Sequence, residues 1–463
     1  MTEEITSENG RPENRPENRH LKVWRLAGPI ILSNVSVPLL GVVDTAVMGH
    51  LPQAWYIGAV AVGAMIFSYV YWGFGFLRMG TTGMVAQAFG ANDRAEVRAL
   101  LGRALLMALV LGVAIFALQW PLINGALWFI EASDQVENLA RTYFDIRVFA
   151  APAALTNYAV LGWLLGQQRA KSALMLQVFM NGVNIVLDVW FVLGLGWGVE
   201  GVALATAISE YAAAGVGVLL ALRVLDQLGG KWSRSRLLDP VQLKRLLVVN
   251  SDIFIRTLCL VTTFAYFTSQ GASMGDTLLA ANAILMNFQM IVGYALDGFA
   301  FAAEALIGAA IGAKDRAKLI EAVRISTIWA GIFAGLFSAV YAVAGTLIIN
   351  GMTDIGTVRE TARTFLIWAV LSPLVSVWSF QLDGIFIGAT RTRAMRNGMA
   401  ISLASFLLGV WIMVPLWGNH GLWAAFYIYM IMRAVTLVVR YPALLRSVPE
   451  AVQEARQDAT ICK

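Results

Sequence analysis

Stretches of about 20 predominantly apolar residues recur along nearly the whole of this chain, and a stretch that long crosses a bilayer core as a helix. In lipid every backbone N–H and C=O must be satisfied within the segment, so repeated spans of this kind dictate a helical bundle. Twelve spans lie at approximately 26–49, 56–78, 100–120, 143–166, 173–194, 200–223, 247–270, 278–302, 322–348, 361–388, 397–417 and 421–443. The fold class is therefore all-α integral membrane. Composition agrees: 58% of the 463 residues are hydrophobic and 14% charged, against roughly 25% charged in a soluble domain. That balance excludes a disordered protein, a nucleic-acid binder and an ordinary cytosolic enzyme.

The basic residues set the orientation. Connections 2–3, 4–5, 6–7, 8–9 and 10–11 hold eighteen Lys and Arg, from Arg94 to Arg396; the opposite connections hold Arg141, Arg359 and Arg363. The positive-inside rule places the basic loops, and both termini, in the cytoplasm. Residues 1–20 are polar and contain the repeat RPENRPENR, which reads as a disordered cytoplasmic tail. The remaining organisation is an N-lobe over 21–224, a basic and flexible interlobe linker over 225–246, a C-lobe over 247–445 and a second cytoplasmic tail over 446–463. Cys259 and Cys462 suggest no disulfide framework, and His20, His50 and His420 form no metal pattern.

The two lobes are copies. Under a shift of 222 residues, FGANDR at 89–94 falls on IGAKDR at 311–316, and GWLLGQQR at 162–169 on GIFIGATR at 384–391. Six spans per copy is an even number, so both copies share one orientation and the repeat is parallel, about an axis along the membrane normal. Two such lobes suggest alternating access to a site between them. No G-x-x-x-x-G-K-[ST] motif is present, so an ion gradient is the expected energy source.

Ionisable side chains inside spans are costly and each needs a reason. Asp44 in span 1 and Asp188 in span 5 each stand six residues before the outer end, a depth of roughly 9 Å. Two carboxylates in a low dielectric cannot both stay charged easily, so the pair can hold a proton or a small cation. The bland alternative is that each links helices by hydrogen bonds. Asn184 lies one turn inward of Asp188; Thr206 and Glu210 share a face of span 6; span 4 offers Asn157 and Tyr143. The second lobe differs. Asp297, Glu304 and Asp383 lie toward the inner ends of spans 8 and 10, as a gate or an ion site, with Arg78 and Arg433 as candidate partners. Asp252 and Arg256 are spaced to pair with each other. Asp44 falls on Tyr266, so the second copy lacks its carboxylate. Pro29 and Pro38 allow a kink in span 1. The assigned cleft residues are mainly acidic, which suits cationic cargo.

VPLLGVVDTAVMGHL at 37–51, LRMGTTGMVAQAFGA at 77–91, NIVLDVWFVLGLGWGVEGVALAT at 184–206 and LDGIFIGATRTRAMRN at 382–397 resemble the multidrug and toxin extrusion family, in its DNA-damage-inducible F branch. The resemblance covers about residues 21–445. It implies a twelve-helix, two-lobe antiporter of the prokaryotic inner membrane that exports cationic or amphipathic organic compounds. By motif, Asp44 matches the first-helix coupling carboxylate, Asn184 and Asp188 the fifth-helix pair, Thr206 the sixth-helix hydroxyl, and Asn157 and Tyr143 the fourth-helix partners. Pro29 matches the proline linked to first-helix bending. Asp383 matches an acid of the Na⁺-coupled branch, but that branch also uses a seventh-helix Glu, and span 7 here has none. H⁺ is therefore the expected coupling ion, with no cofactor. Na⁺ coupling, a lipid-linked oligosaccharide flippase of the same superfamily and an intramembrane acid–base enzyme are the rival readings. The expected partners are small organic cations and membrane lipid, and a monomer would suffice.

Overall fold

The computed structural model describes residues 19–48, 55–130 and 133–449. Most of the two expected tails, His50 and Cys462 lie outside them. Among the described residues eleven helices are long and apolar enough to cross a membrane, and the 30-residue first helix completes the expected twelve. They are α1 (Arg19–Met48), α2 (Trp55–Gly90), α3 (Arg94–Ala117), α4 (Asp134–Gly166), α5 (Ala170–Gly194), α6 (Val199–Leu228), α7 (Pro240–Ser273), α8 (Asp276–Gly312), α9 (Arg316–Met352), α10 (Leu366–Gly388), α11 (Thr392–Trp417) and α12 (Asn419–Val438). Turns interrupt α2 at Phe74–Gly75 and α4 at Val148–Ala150.

The internal repeat is visible in the backbone. The non-glycine residues with positive φ are Asn92 (54°), Gln168 (61°), Lys314 (52°) and Thr390 (52°) among the described residues. Asn92 and Lys314, like Gln168 and Thr390, are related by the 222-residue shift. Each ends a helix in the left-handed region, where a non-glycine residue is uncommon. Asp93 and Asp315 then cap the next helices, accepting from Glu96 N at 3.0 Å and Lys318 N at 2.9 Å. Partial burial works against the Asp93 charge, but hydrogen bonds from Arg236 and Glu96 outweigh it and hold the carboxyl below the usual range. The Lys318 N–H does the same for Asp315.

The lobes meet at the end of the bundle that carries the basic connections. There α2 crosses α8 so closely that a Cβ at Gly90 would strike the Ala309 carbonyl, and one at Gly312 the Gln87 carbonyl. Both contacts are related by the same shift, as is the Ala86–Gly308 contact on the pseudo-axis. Gly162 and Gly166 seat α4 on the Arg78 and Thr82 backbone; Gly384 and Gly388 seat α10 on Ala300 and Glu304, again in register. Small residues allow this approach, and in lipid close packing is what holds helices together. Gln87 adds a hydrogen bond across the seam to the Gly388 carbonyl at 3.0 Å.

The lobes also interlock. The first half of α1 packs on the C-lobe, with Trp24 against Phe299, Trp329 and Phe333, and Asn34 donating to the Tyr294 carbonyl at 3.1 Å. Further along, Ser36 accepts from Asn181 of α5 at 2.9 Å, which returns α1 to its own lobe. In the same way Phe254 of α7 meets Phe76 of α2, while Phe267 meets Trp423 and Phe426 of α12.

The stretch 225–246, read from sequence as flexible, is largely helical and docked. A short helix, Arg234–Leu237, lies on α3, where Arg236 pairs with Asp93 at 2.9 Å and Arg103 donates to the Leu237 carbonyl at 3.2 Å. Gly102 leaves room for Leu237 and Trp232. Composition signals polarity but not docking, which depends on the α3 surface opposite.

If backbone approach closes the basic end, Gly90→Ala or Gly312→Ala forces two backbones apart and costs roughly 1–3 kcal/mol. Gly331→Ala and Gly335→Ala, which meet nothing within 4 Å, leave thermal unfolding of the purified protein near the wild-type temperature.

Candidate functional site

The N-lobe buries two neighbouring groups of polar side chains inside the bundle, one turn apart along α6. Asp188 and Asn184 are 0% and 1% exposed on α5. With its amide oxygen toward α6, Asn184 accepts from the Thr206 N–H at 3.2 Å and donates to Asp188 Oδ2 at 3.1 Å. The spacing of four on a helix gives that second bond. Directly after Asp188 the helix widens into a π segment, Val189–Gly194. Such segments break the regular hydrogen-bond ladder and often mark functional positions.

One turn beyond Thr206, Asn157 of α4 donates to the Glu210 carbonyl at 3.0 Å. The Glu210 carboxylate pairs with Arg147 at 3.5 Å, and Arg147 donates to the Tyr143 hydroxyl at 2.9 Å. The guanidinium also lies over the rings of Phe67, Tyr143 and Tyr71 at 4.9, 5.7 and 5.9 Å; desolvated contacts of this kind stabilise a buried cation. Gly63 leaves the space that the Tyr143 ring fills.

The structure thus brings Tyr143, Asn157, Asn184, Asp188 and Thr206 together. Asp44 lies on the α1 backbone, but its side chain is outside the described residues. Pro29 sits apart, half-buried in the part of α1 that packs on the C-lobe. Arg147 was missed. It falls inside the expected span 4, one turn from Tyr143, and a buried arginine there needed a partner as much as any acid did.

The C-lobe cluster is of another kind. Asp383 Oδ2 of α10 accepts from both Arg256 of α7 and Arg433 of α12, the latter at 2.7 Å. All three residues are less than 10% exposed. Arg433 also lies over Phe380 and Tyr429. The expected pairing of Asp252 with Arg256 does not occur. Asp252 accepts from Arg396 at 2.7 Å and Thr392 at 3.0 Å, because α11 begins beside it, while Arg256 reaches across to Asp383. Asp297 lies within electrostatic reach of Arg78, Arg256, Asp383 and Arg433. Glu304 lies near them: it is 0% exposed, within electrostatic reach of Arg78 and Asp297 and beside the Thr82 hydroxyl, although neither carboxylate oxygen has a hydrogen bond of ordinary geometry. Arg78 stacks on Phe301 at 3.7 Å. The buried centre is therefore not mainly acidic, as the sequence suggested; arginines accompany the acids in both lobes. No cluster of three metal-ligating side chains occurs among the described residues.

A family model, MatE, matches residues 29–190 and again 253–414, once in each lobe. The chain belongs to the MatE family. Among the relatives of this MatE protein, DNA damage-inducible protein F of Escherichia coli (strain K12) is 44% identical over 415 residues, spanning 90% of each chain. Multidrug resistance protein NorM of Vibrio vulnificus (strain YJ016) is 27% identical, over 90% of this chain and 93% of its own. Among solved structures, a MOP-superfamily transporter from Pyrococcus furiosus superposes with a TM-score of 0.83 at 19% identity, over 93% of this chain and 96% of the other. The Vibrio cholerae MATE transporter VcmN in its bent form gives 0.81 at 20% identity, over 92% and 97%. At those identities the structures speak to the fold alone. The family consists of transporters rather than enzymes, and this MatE protein is a multi-pass membrane transporter.

Removing one partner of a buried ion cluster leaves uncompensated charge, at a cost of about 3–5 kcal/mol. Asp383→Asn strands two guanidinium groups and lowers the thermal unfolding temperature sharply. The triple replacement Arg256→Met, Asp383→Leu and Arg433→Met recovers most of that loss.

Proposed function

We propose that the protein is an H⁺-coupled antiporter that exports cationic or amphipathic organic compounds by alternating access. It works in the prokaryotic inner membrane with its basic end and both termini in the cytoplasm. Export of drugs is suggested by the names of relatives, NorM among them. The single observation behind the choice of ion is the contrast between the lobes. Asp383, the acid expected of a Na⁺ site, already accepts from two guanidinium groups, so a cation there meets two fixed positive charges. In the N-lobe Asp188 instead sits beside the Asn184 amide, itself next to the Thr206 hydroxyl, groups that can turn to accept or donate as a proton arrives.

In this reading Asp44 and Asp188 exchange the proton. Asn184 and Thr206 hold Asp188 in place, and Asn157 and Tyr143 fix the Glu210–Arg147 pair beside them. Protonation changes the charge that α1 carries past the N-lobe, and α1, which Pro29 allows to kink, transmits the change to the C-lobe against which its first half is packed. Both lobes would then rock about the glycine seam.

Efflux of a fluorescent drug cation from proteoliposomes tests this. A pH gradient without Na⁺ drives wild-type efflux, and Asp44→Asn and Asp188→Asn each lower the rate by at least about tenfold. A Na⁺ gradient at equal pH drives none. Efflux that responds to Na⁺ alone would refute the assignment.

A further inference from the structure

We propose that a cavity at the basic end of the C-lobe binds the phosphate of an anionic lipid headgroup. The cavity measures about 700 Å³ and lies between the first turns of α7, the turn joining α10 to α11, and Arg440 just past the end of α12. Five cations line it: Lys244, Arg245, Arg391, Arg393 and Arg440.

Their charge is not answered by any carboxylate among the described residues. Among the described residues Lys244, Arg391, Arg393 and Arg440 make no ion pair. Arg245 donates only to neutral acceptors, Gln87 at 3.1 Å and Thr390 at 3.5 Å. The one carboxylate in the wall, Asp252, is engaged by Arg396 and Thr392. The wall also contains the start of α11, whose N-cap Arg391 supplies no side-chain cap. Apart from Ala394 N–H, which donates to the Arg391 carbonyl at 3.0 Å, the N–H groups of that first turn add donors and a favourable dipole for an anion. Guanidinium pairs and helix-end N–H groups match phosphate oxygens in geometry.

The rim indicates where the phosphate comes from. Val241 and Val248 line the same cavity and are 71% and 53% exposed. Apolar side chains beside a phosphate-binding basic wall suit a molecule with acyl chains next to its headgroup. Basic pockets at this end of membrane helices are known to take anionic lipid. A lipid seated there would also touch the seam between lobes, because Arg245 bridges Gln87 of α2 and Thr390.

The test uses the full-length protein, purified and exposed to phosphatidylglycerol or phosphatidylcholine, with retained lipid counted by native mass spectrometry. Wild type retains phosphatidylglycerol preferentially. The quadruple variant Lys244→Gln, Arg391→Gln, Arg393→Gln and Arg440→Gln binds it weaker by about tenfold or more. The variant Arg169→Gln with Lys171→Gln removes two cations from the same end of the other lobe and keeps the preference. Because the four side chains are on the surface, unchanged circular dichroism separates lost binding from misfolding. Inorganic phosphate supplies the second arm. If millimolar phosphate leaves the lipid bound, the membrane is the source. If phosphate displaces the lipid from wild type and raises its unfolding temperature but not the variant's, the same anion site fills from solution. Equal retention of both lipids, a preference surviving in the quadruple variant, or an equal loss in the two-residue variant would overturn the proposal.

Discussion

The arrangement of the whole bundle depends on how closely three backbones approach at its basic end. Gly90, Gly308 and Gly312 let α2 and α8 touch without side chains between them, and Gly384 and Gly388 bring α10 onto α8. No hydrophobic force drives helices together inside lipid, so contact of this closeness supplies the dispersion energy that holds the lobes. The same contact is brittle, since a backbone carbonyl cannot move aside as a side chain can. A seam of this type has two states, shut or parted, and few between.

Burial of charge follows from that closure. Arg256, Asp383 and Arg433 come from α7, α10 and α12 and tie the C-lobe into one block. Arg147, Glu210 and Tyr143 do the same for α4 and α6 in the N-lobe. These clusters are expensive to desolvate, and their value lies in fixing which helices move together. The helices that reach from one lobe to the other are α1 and α7: α1 packs on both, and α7, fixed to the C-lobe block through Arg256, touches α2 through Phe254. Motion at the seam therefore has to pass through these two helices, and the N-lobe polar groups lie alongside α1.

Much of this was legible in the sequence because its physics is local. Span length and basic-loop bias follow from hydropathy and charge counted along the chain. The 222-residue shift rested on FGANDR and IGAKDR, and the same positions reappear as the left-handed turns at Asn92 and Lys314 and the caps at Asp93 and Asp315. The Asn184–Asp188 bond followed from helical spacing. What failed were partners across helices. Asp252 and Arg256 are spaced to pair, yet each finds a better partner on α11 or α10, and nothing in their own span reveals it. Arg147 was overlooked because it was taken as part of an apolar span near its end. The docked linker was hidden for the same reason: Gly102 and Arg103 of α3 make its seat.

Distances between spin labels across the basic end test the central claim most directly. Lys171→Cys in the N-lobe and Ala317→Cys in the C-lobe, with Cys259 and Cys462 replaced by Ser, place labels on exposed positions of opposite lobes. If the glycine seam is the two-state element of transport, pulsed electron resonance on the protein in nanodiscs gives two distance populations. The shorter matches the closed seam; the other is longer by on the order of 10 Å, and acidification changes their ratio. A single short distance at every pH, with and without a drug cation, in protein that still transports, would contradict the account.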